Sequence, residues 1–514
     1  MDQPLFSSLD YFLMLAYILL VVGVGVWVGR GQRSTKEYFL AGRSMGWFPI
    51  GISTIASLYS AISYMGGPSE YRSYDLRLTV GIFSMIPTAV VVMLVFMPFF
   101  HRLQVYTAYE YLEKRFNVTV RALASAVFVI WRILWMGTAV YVPSLVLHTI
   151  TGFPLIPMIL LVGVVATLYT VVGGMRAVIW TDVAQFFVLS AGSVLALWVV
   201  GAHVGGLEGI WSVAEQGGRT RIFDWTPDLT TRVTSWGALI GSLVANLGMY
   251  GADQVSVQRY LAAKSLKGMQ KSFILNTVGG WAMGFLMIGI GLGLYAFYAL
   301  HPGNLPATIG GDKVFPYFIA TEMPLGLRGM MIAAILAAAM SSIDSGLNSS
   351  VTALITDFFK RFGWLTRGGS ASQAEVARRE LKISRALTMA LGVVVTVLAC
   401  FVGALGTIIE IANKLVNSFA GPMLGIFILG MMTRKTEWRG AFWGLLAGTV
   451  VTAWCILDNS VSFLWFGPIG ALVTVLAGQA VSAVLGGQKT DRSDLVFQFR
   501  RGWWQRATSE SAEE

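Results

Sequence analysis

The sequence predicts an all-α, polytopic membrane protein of about thirteen transmembrane helices. Charged residues make up only 12% of the 514, where soluble proteins carry about 25%. Hydrophobic residues make up 55%, and they fall in runs of about 20, the helical length that crosses a bilayer core. The net charge of +10 would suggest a nucleic-acid partner in a soluble chain. Here the basic residues sit in short loops between apolar runs, where they report topology, so no nucleic acid is expected. Cys400 and Cys455 both lie inside apolar runs, and the four histidines show no ligand spacing, so neither a disulfide framework nor a metal cluster is indicated.

In chain order the apolar runs cover 9–29, 46–71, 80–100, 122–149, 154–172, 179–201 and 235–251. They continue at 273–300, 328–356, 384–404, 407–432, 438–457 and 461–485. Loops on one side of the membrane, with Arg385 and the tail, carry 28 Lys and Arg against 7 on the other. The positive-inside rule makes the richer side cytoplasmic. The N-terminus is then outside, and the first span reads as an uncleaved anchor. The C-terminal tail is cytoplasmic, with Trp503 and Trp504 beside Arg500, Arg501 and Arg506 resting on the headgroups.

Two spans are too interrupted to be plain lipid-facing helices. The second carries hydroxyls at Ser53, Thr54, Ser57, Ser60 and Ser63 and ends in Gly66, Gly67 and Pro68. Such a segment frees backbone carbonyls at membrane depth, which can replace the water ligands of a small cation. Five spans later, Asn246, Gly248 and Gly251 interrupt the seventh. Paired interruptions of this kind indicate an inverted repeat around a central site, although small residues also serve simply to pack helices closely.

The ninth span places Ser341, Ser342, Asp344 and Ser345 within about one turn. Oxygen ligands suit a hard alkali cation. Membrane serines commonly bond only to the carbonyl one turn back. A buried carboxylate, by contrast, calls for a partner, solvent or a cation. Asp182 begins the sixth span, where the helix dipole alone could favour an acid. Glu410 precedes Lys414 by four residues, so an ion pair competes there with an exposed ligand amine. Arg132 has no acid at helical spacing, which leaves snorkelling or an anionic substrate.

Six segments in order resemble the sodium:solute symporter family: Ala56-Ser-Leu-Tyr-Ser-Ala-Ile-Ser63, Tyr109-Glu-Tyr-Leu-Glu-Lys-Arg-Phe116, Gly173-Gly-Met-Arg-Ala-Val-Ile-Trp-Thr-Asp182, Asp253-Gln-Val-Ser-Val-Gln-Arg259, Ala339-Met-Ser-Ser-Ile-Asp-Ser345 and Gly421-Pro-Met-Leu-Gly425. The resemblance covers about 6–485 and implies a LeuT-like core of two inverted five-helix repeats. The implied organisation is an outside segment and first peripheral helix over 1–45, repeats over 46–202 and 235–433 separated by an extracellular loop at 203–234, two peripheral helices over 434–485, and a tail over 486–514.

The resemblance also implies Na+ as coupling ion, held by Ala56, Tyr59, Ala338, Ser341 and Ser342, with a second cation site at Asp182, Asp344 and Ser345. Asp344 departs from the Ser or Thr that relatives often carry, and leaves open a proton in place of Na+. The substrate cavity would involve Ser60, Ser63, Arg132, Trp135, Asn246, Met249, Tyr250 and Lys414. Asn246 matches a substrate-contacting Asn of sugar-transporting relatives. Met249 stands where they have a gate tyrosine, and Lys414 where they use an amide, which disfavours a sugar. Gly67-Pro-Ser-Glu-Tyr71 resembles the branch that carries iodide, monocarboxylates and vitamins. The expected function is therefore Na+-coupled import, across the cell membrane and by alternating access, of a small organic anion such as a monocarboxylate or sugar acid. A neutral sugar, polyol or amino acid and a membrane sensor are the alternatives. An enzyme would need a nucleophile with a base, and no His or paired carboxylate lies near the serines. No obligate protein partner is indicated.

Overall fold

The computed structural model describes residues 7–29, 35–172, 174–365, 373–404, 407–485 and 495–497. The tail residues Trp503 and Trp504, with the arginines beside them, lie outside the described residues, as does Gly173. All thirteen expected segments are helical. They form α1 (Ser8–Gly29), the pair α2 (Trp47–Leu58) and α3 (Ala61–Ser73), α4 (Arg77–Leu103), a short α5 (Ala108–Arg115), α6 (Val118–Thr151), α7 (Leu155–Val172) and α8 (Met175–Val204). After a short α9 (Gly206–Gln216) come α10 (Ser235–Gly251), α11 (Gln254–Leu261), α12 (Leu266–Leu300), α13 (Leu327–Ala353), α14 (Gln373–Ala399), α15 (Ile408–Met432), α16 (Trp438–Asp458) and α17 (Phe466–Val484).

Among the described residues, 10 helices are long and apolar enough to span a membrane, or 11 with the α2–α3 pair counted as one span. The other two expected spans are α7, whose apolar stretch is Leu155–Leu168, and the 17-residue α10. Thirteen is thus an approximate count.

The interruptions read in the sequence are real breaks. Tyr59 and Ser60 leave helical geometry (φ −89°, ψ 76° and φ −80°, ψ 172°), and α3 departs from α2 at 58°. The second break follows Gly251: Ala252 is non-helical, and Asp253 caps α11 by accepting the Val255 N–H at 2.9 Å. The two breaks lie five spans apart, the spacing that an inverted pair of five-helix repeats requires. Close approach at the second break depends on Gly248, where a Cβ would come within 2.5 Å of the Ala420 carbonyl oxygen on α15.

At the centre stands α13, with 94% of its most apolar window buried, which makes it a core helix rather than a lipid-facing one. It packs against α2, α3, α6 and α8. Asp10, near the start of α1, accepts the N–H groups of Gly326 and Gly329 at 3.0 and 2.7 Å, and so ties the peripheral helix to the first turn of α13. On the far side, α16 and α17 pack together through small residues, with Gly444 and Gly448 against the backbone and side chain of Thr474.

Candidate functional site

A helix that stops inside a membrane leaves its last carbonyls without intrahelical partners. At the end of α2 these carbonyls meet the hydroxyls of α13. Ser341 Oγ donates to the Ala56 carbonyl at 2.9 Å and to the Ala338 carbonyl at 3.1 Å. Ser342 Oγ lies 3.3 Å from both the Ser57 and the Ala338 carbonyls. The bonds to Ala338 are the expected back-bonding, and the bonds to α2 are additional to it. Tyr59 is the residue at which α2 ends.

Five neutral oxygens, those of Ala56, Ser57, Ala338, Ser341 and Ser342, are therefore gathered in a buried cluster. Hydroxyls have lone pairs to offer once their protons rotate away, so the donor set fits a hard monovalent cation. Ser57 was not anticipated as a carbonyl donor. Its position between Ala56 and the break was the available signal.

The residues expected to hold a second cation are arranged around a guanidinium of the chain itself. Arg259, on α11, donates from Nη2 to Asp182 Oδ2 at 2.9 Å and to Ser345 Oγ at 2.5 Å, and its Nη2 also bonds Ser57 Oγ. Its Nε donates to Ser53 Oγ at 2.9 Å and its Nη1 to the Val255 carbonyl at 2.9 Å. Ser53 and Ser57 in turn donate to Asp182 Oδ2 at 2.6 and 3.0 Å. Asp344 adjoins this network by accepting the Ser345 N–H at 2.6 Å. The place expected for a second ion, between Asp182 and Ser345, is thus reached by a positive charge of the chain itself, which neutralises Asp182 there. Arg259 was counted with the basic loop after α10. Only the fold shows that α11 turns it inward.

Beside the break lies a cavity of about 390 Å³, walled by Tyr59, Ser63, Trp135, Asn246, Met249 and Tyr250 of the expected residues. Asn276 and Asn413 line it as well and were missed. Asn246 donates to Ser84 Oγ at 3.1 Å and Asn276 to Tyr250 Oη at 3.0 Å. The indole N–H of Trp135, a buried residue, has no hydrogen-bond partner among the described residues. No Asp, Glu, Lys or Arg is among the lining residues.

Three expected contacts fall outside this wall. Ser60 is buried at the N-cap of α3. Arg132 is ion-paired with Asp253 at the second break and lies over the Trp131 ring, 4.2 Å from its centroid. The expectation of an unpaired Arg132 fails because its acid is on another helix, beyond the reach of a spacing argument. Lys414 is half-buried and forms no ion pair among the described residues, while Glu410 reaches Arg232 at 3.8 Å rather than Lys414.

The sodium/sialic acid symporter NanT of Aliivibrio fischeri is 30% identical over 93% of this chain and 94% of its own. Human sodium-coupled monocarboxylate transporter 2 is 28% identical over 95% of this chain and 86% of its own. A solved structure of a Na+-coupled sialic acid symporter, in a substrate-bound outward-open state, superposes with a TM-score of 0.85 at 28% identity, covering 94% of this chain and all of that one. The helices thus form the LeuT-like core, the relatives are transporters, and Na+ is the coupling ion. With residues 38–448 matching the sodium:solute symporter family as a whole, the chain belongs to that family.

Proposed function

We propose that this sodium-coupled symporter imports a small organic anion, with one Na+ at the cluster formed by the end of α2 and α13. The observation that carries the reading is the shared position of ion and solute: Tyr59 ends α2 beside the five oxygens and walls the cavity. Binding at one place then bears directly on the other. One Na+ entering with a monovalent anion moves no net charge, so the Na+ gradient itself drives accumulation, with each tenfold gradient worth about 1.4 kcal/mol.

An anion is supported by what the cavity offers and what it lacks. Its donors are the amides of Asn246, Asn276 and Asn413 and the free indole N–H of Trp135, and no carboxylate lines it to repel a negative charge. Two relatives named above are called transporters of monocarboxylates and of sialic acid. The absence of Lys and Arg from the wall favours a neutral polar solute as the second reading. The membrane orientation follows the basic-residue count, N-terminus outside and tail cytoplasmic.

Uptake by purified protein in liposomes, with an imposed Na+ gradient and a panel of labelled monocarboxylates, sugar acids, polyols and amino acids, tests the proposal. Na+-driven accumulation of a carboxylate that neutral analogues do not inhibit supports it. Accumulation of neutral solutes alone replaces it with the second reading.

A further inference from the structure

The surface between α1 and α8 holds a groove of about 600 Å³ that shares no residue with the oxygen cluster or the solute cavity. Its floor is apolar, built by Val24 and Val28 of α1 and by Val183 and Ala184 of α8. The two helices are antiparallel here, so the last turns of α1 and the first turns of α8 lie at the same level. They touch at Gly25, where a Cβ would come within 3.5 Å of Thr181 Cγ2, and the groove runs past that contact from Val183 and Ala184 to Trp27, Val28 and Arg176 near the helix ends. By the basic-residue count, this end faces the cytoplasm.

At the open end the chemistry changes. Trp27 and Trp180 line the groove there, 75% and 40% exposed, and tryptophan is the side chain that settles at the level of lipid headgroups. Arg176, also lining the groove and exposed, has no hydrogen bond or ion pair with any described residue. It sits in the first turn of α8, whose N-terminus carries no side-chain cap, so the local field is positive. Apolar walls below, tryptophans at the interface and an uncompensated arginine above match one kind of occupant: a phospholipid with an acyl chain between the helices and an anionic headgroup at Arg176.

We infer that this groove binds one anionic phospholipid of the cytoplasmic leaflet. Its position gives the lipid something to act on. Val183 and Ala184 face the groove, whereas the neighbouring Asp182 points to the other side of α8, onto Arg259, Ser53 and Ser57. A bound lipid therefore braces the helix that holds this ion pair.

The test is native mass spectrometry of the delipidated full-length protein after exposure to equal amounts of phosphatidylglycerol and phosphatidylcholine. The wild type should retain one phosphatidylglycerol in preference to phosphatidylcholine. Arg176→Gln should cut that preference about five- to tenfold, and Arg176→Lys should keep it. Trp180→Ala should weaken retention of both lipids. Arg439→Gln, which removes another basic residue beside a tryptophan, should leave the preference intact and serves as control. Equal retention of the two lipids by the wild type, or undiminished preference in Arg176→Gln, would show ordinary annular lipid and overturn the inference. Should Arg176→Gln prove unstable, the Arg176→Lys and Trp180→Ala pair still decides: loss of preference in the first, or no loss of lipid in the second, counts against the site.

Discussion

Asp182 of α8 receives the Arg259 guanidinium of α11 at 2.9 Å, with both side chains buried. This contact joins the helix after the second break to the helix beside the first, one turn of α13 from the oxygen cluster. A buried pair loses far more when one member is removed than when both are, because the remaining charge is left desolvated. Asp182→Asn or Arg259→Gln alone should destabilise the protein by about 3 to 5 kcal/mol, and the double variant by clearly less than the sum. Thermal unfolding of the three variants in detergent checks this, and additive losses would count against a pair.

With Arg259 filling the place beside Asp182, coupling should use the α2–α13 cluster alone. Asp344→Asn should then leave the number of Na+ moved per substrate unchanged when labelled Na+ and substrate fluxes into liposomes are measured together. A lower number would restore a second ion site at Asp344.

Arg132 serves structure rather than substrate binding. Its pairing with Asp253 and its place over Trp131 hold α6 to the second break. Arg132→Gln should lower protein yield, and Asp253→Asn should partly rescue it, while the substrate KM of the protein that does fold changes less than about threefold. A KM raised tenfold or more without loss of yield would return Arg132 to the substrate site.

Glu113, outside the spans, is flanked by Arg121 at 2.7 Å and Arg361 at 2.6 Å. Burial alone would raise its pKa, but the two guanidinium groups outweigh burial and hold it below the ordinary glutamate value. A carboxyl whose pKa is depressed by folding stabilises the fold above its unfolded pKa and loses that contribution as the pH falls through the folded value. The stability difference between wild type and Glu113→Gln should be flat from pH 8 to about 6 and shrink below about pH 5. A difference that grows on acidification would contradict the assignment.

The helices and both breaks were legible because apolar run length and hydroxyl-rich or glycine-rich interruptions are local properties. Ser341 and Ser342 could be named for the same reason: they share one turn. What stayed hidden was pairing across the fold. Asp253 lies 121 residues from Arg132, and Arg259 lies 77 from Asp182, so no helical spacing connects either pair. Asn276 and Asn413 were hidden too, since an amide in a long apolar helix carries no sign of which face it occupies.

If the five oxygens between α2 and α13 hold the Na+ that drives uptake, losing one of them should weaken Na+ coupling. The most direct measurement is the Na+ dependence of initial uptake in liposomes for wild type and Ser342→Ala. Removing one of about five ligands should cost about 1 to 3 kcal/mol and raise the half-saturating Na+ concentration ten- to hundredfold, with the maximal rate at saturating Na+ largely kept. An unchanged Na+ dependence in a well-folded Ser342→Ala protein would show that the driving Na+ binds elsewhere.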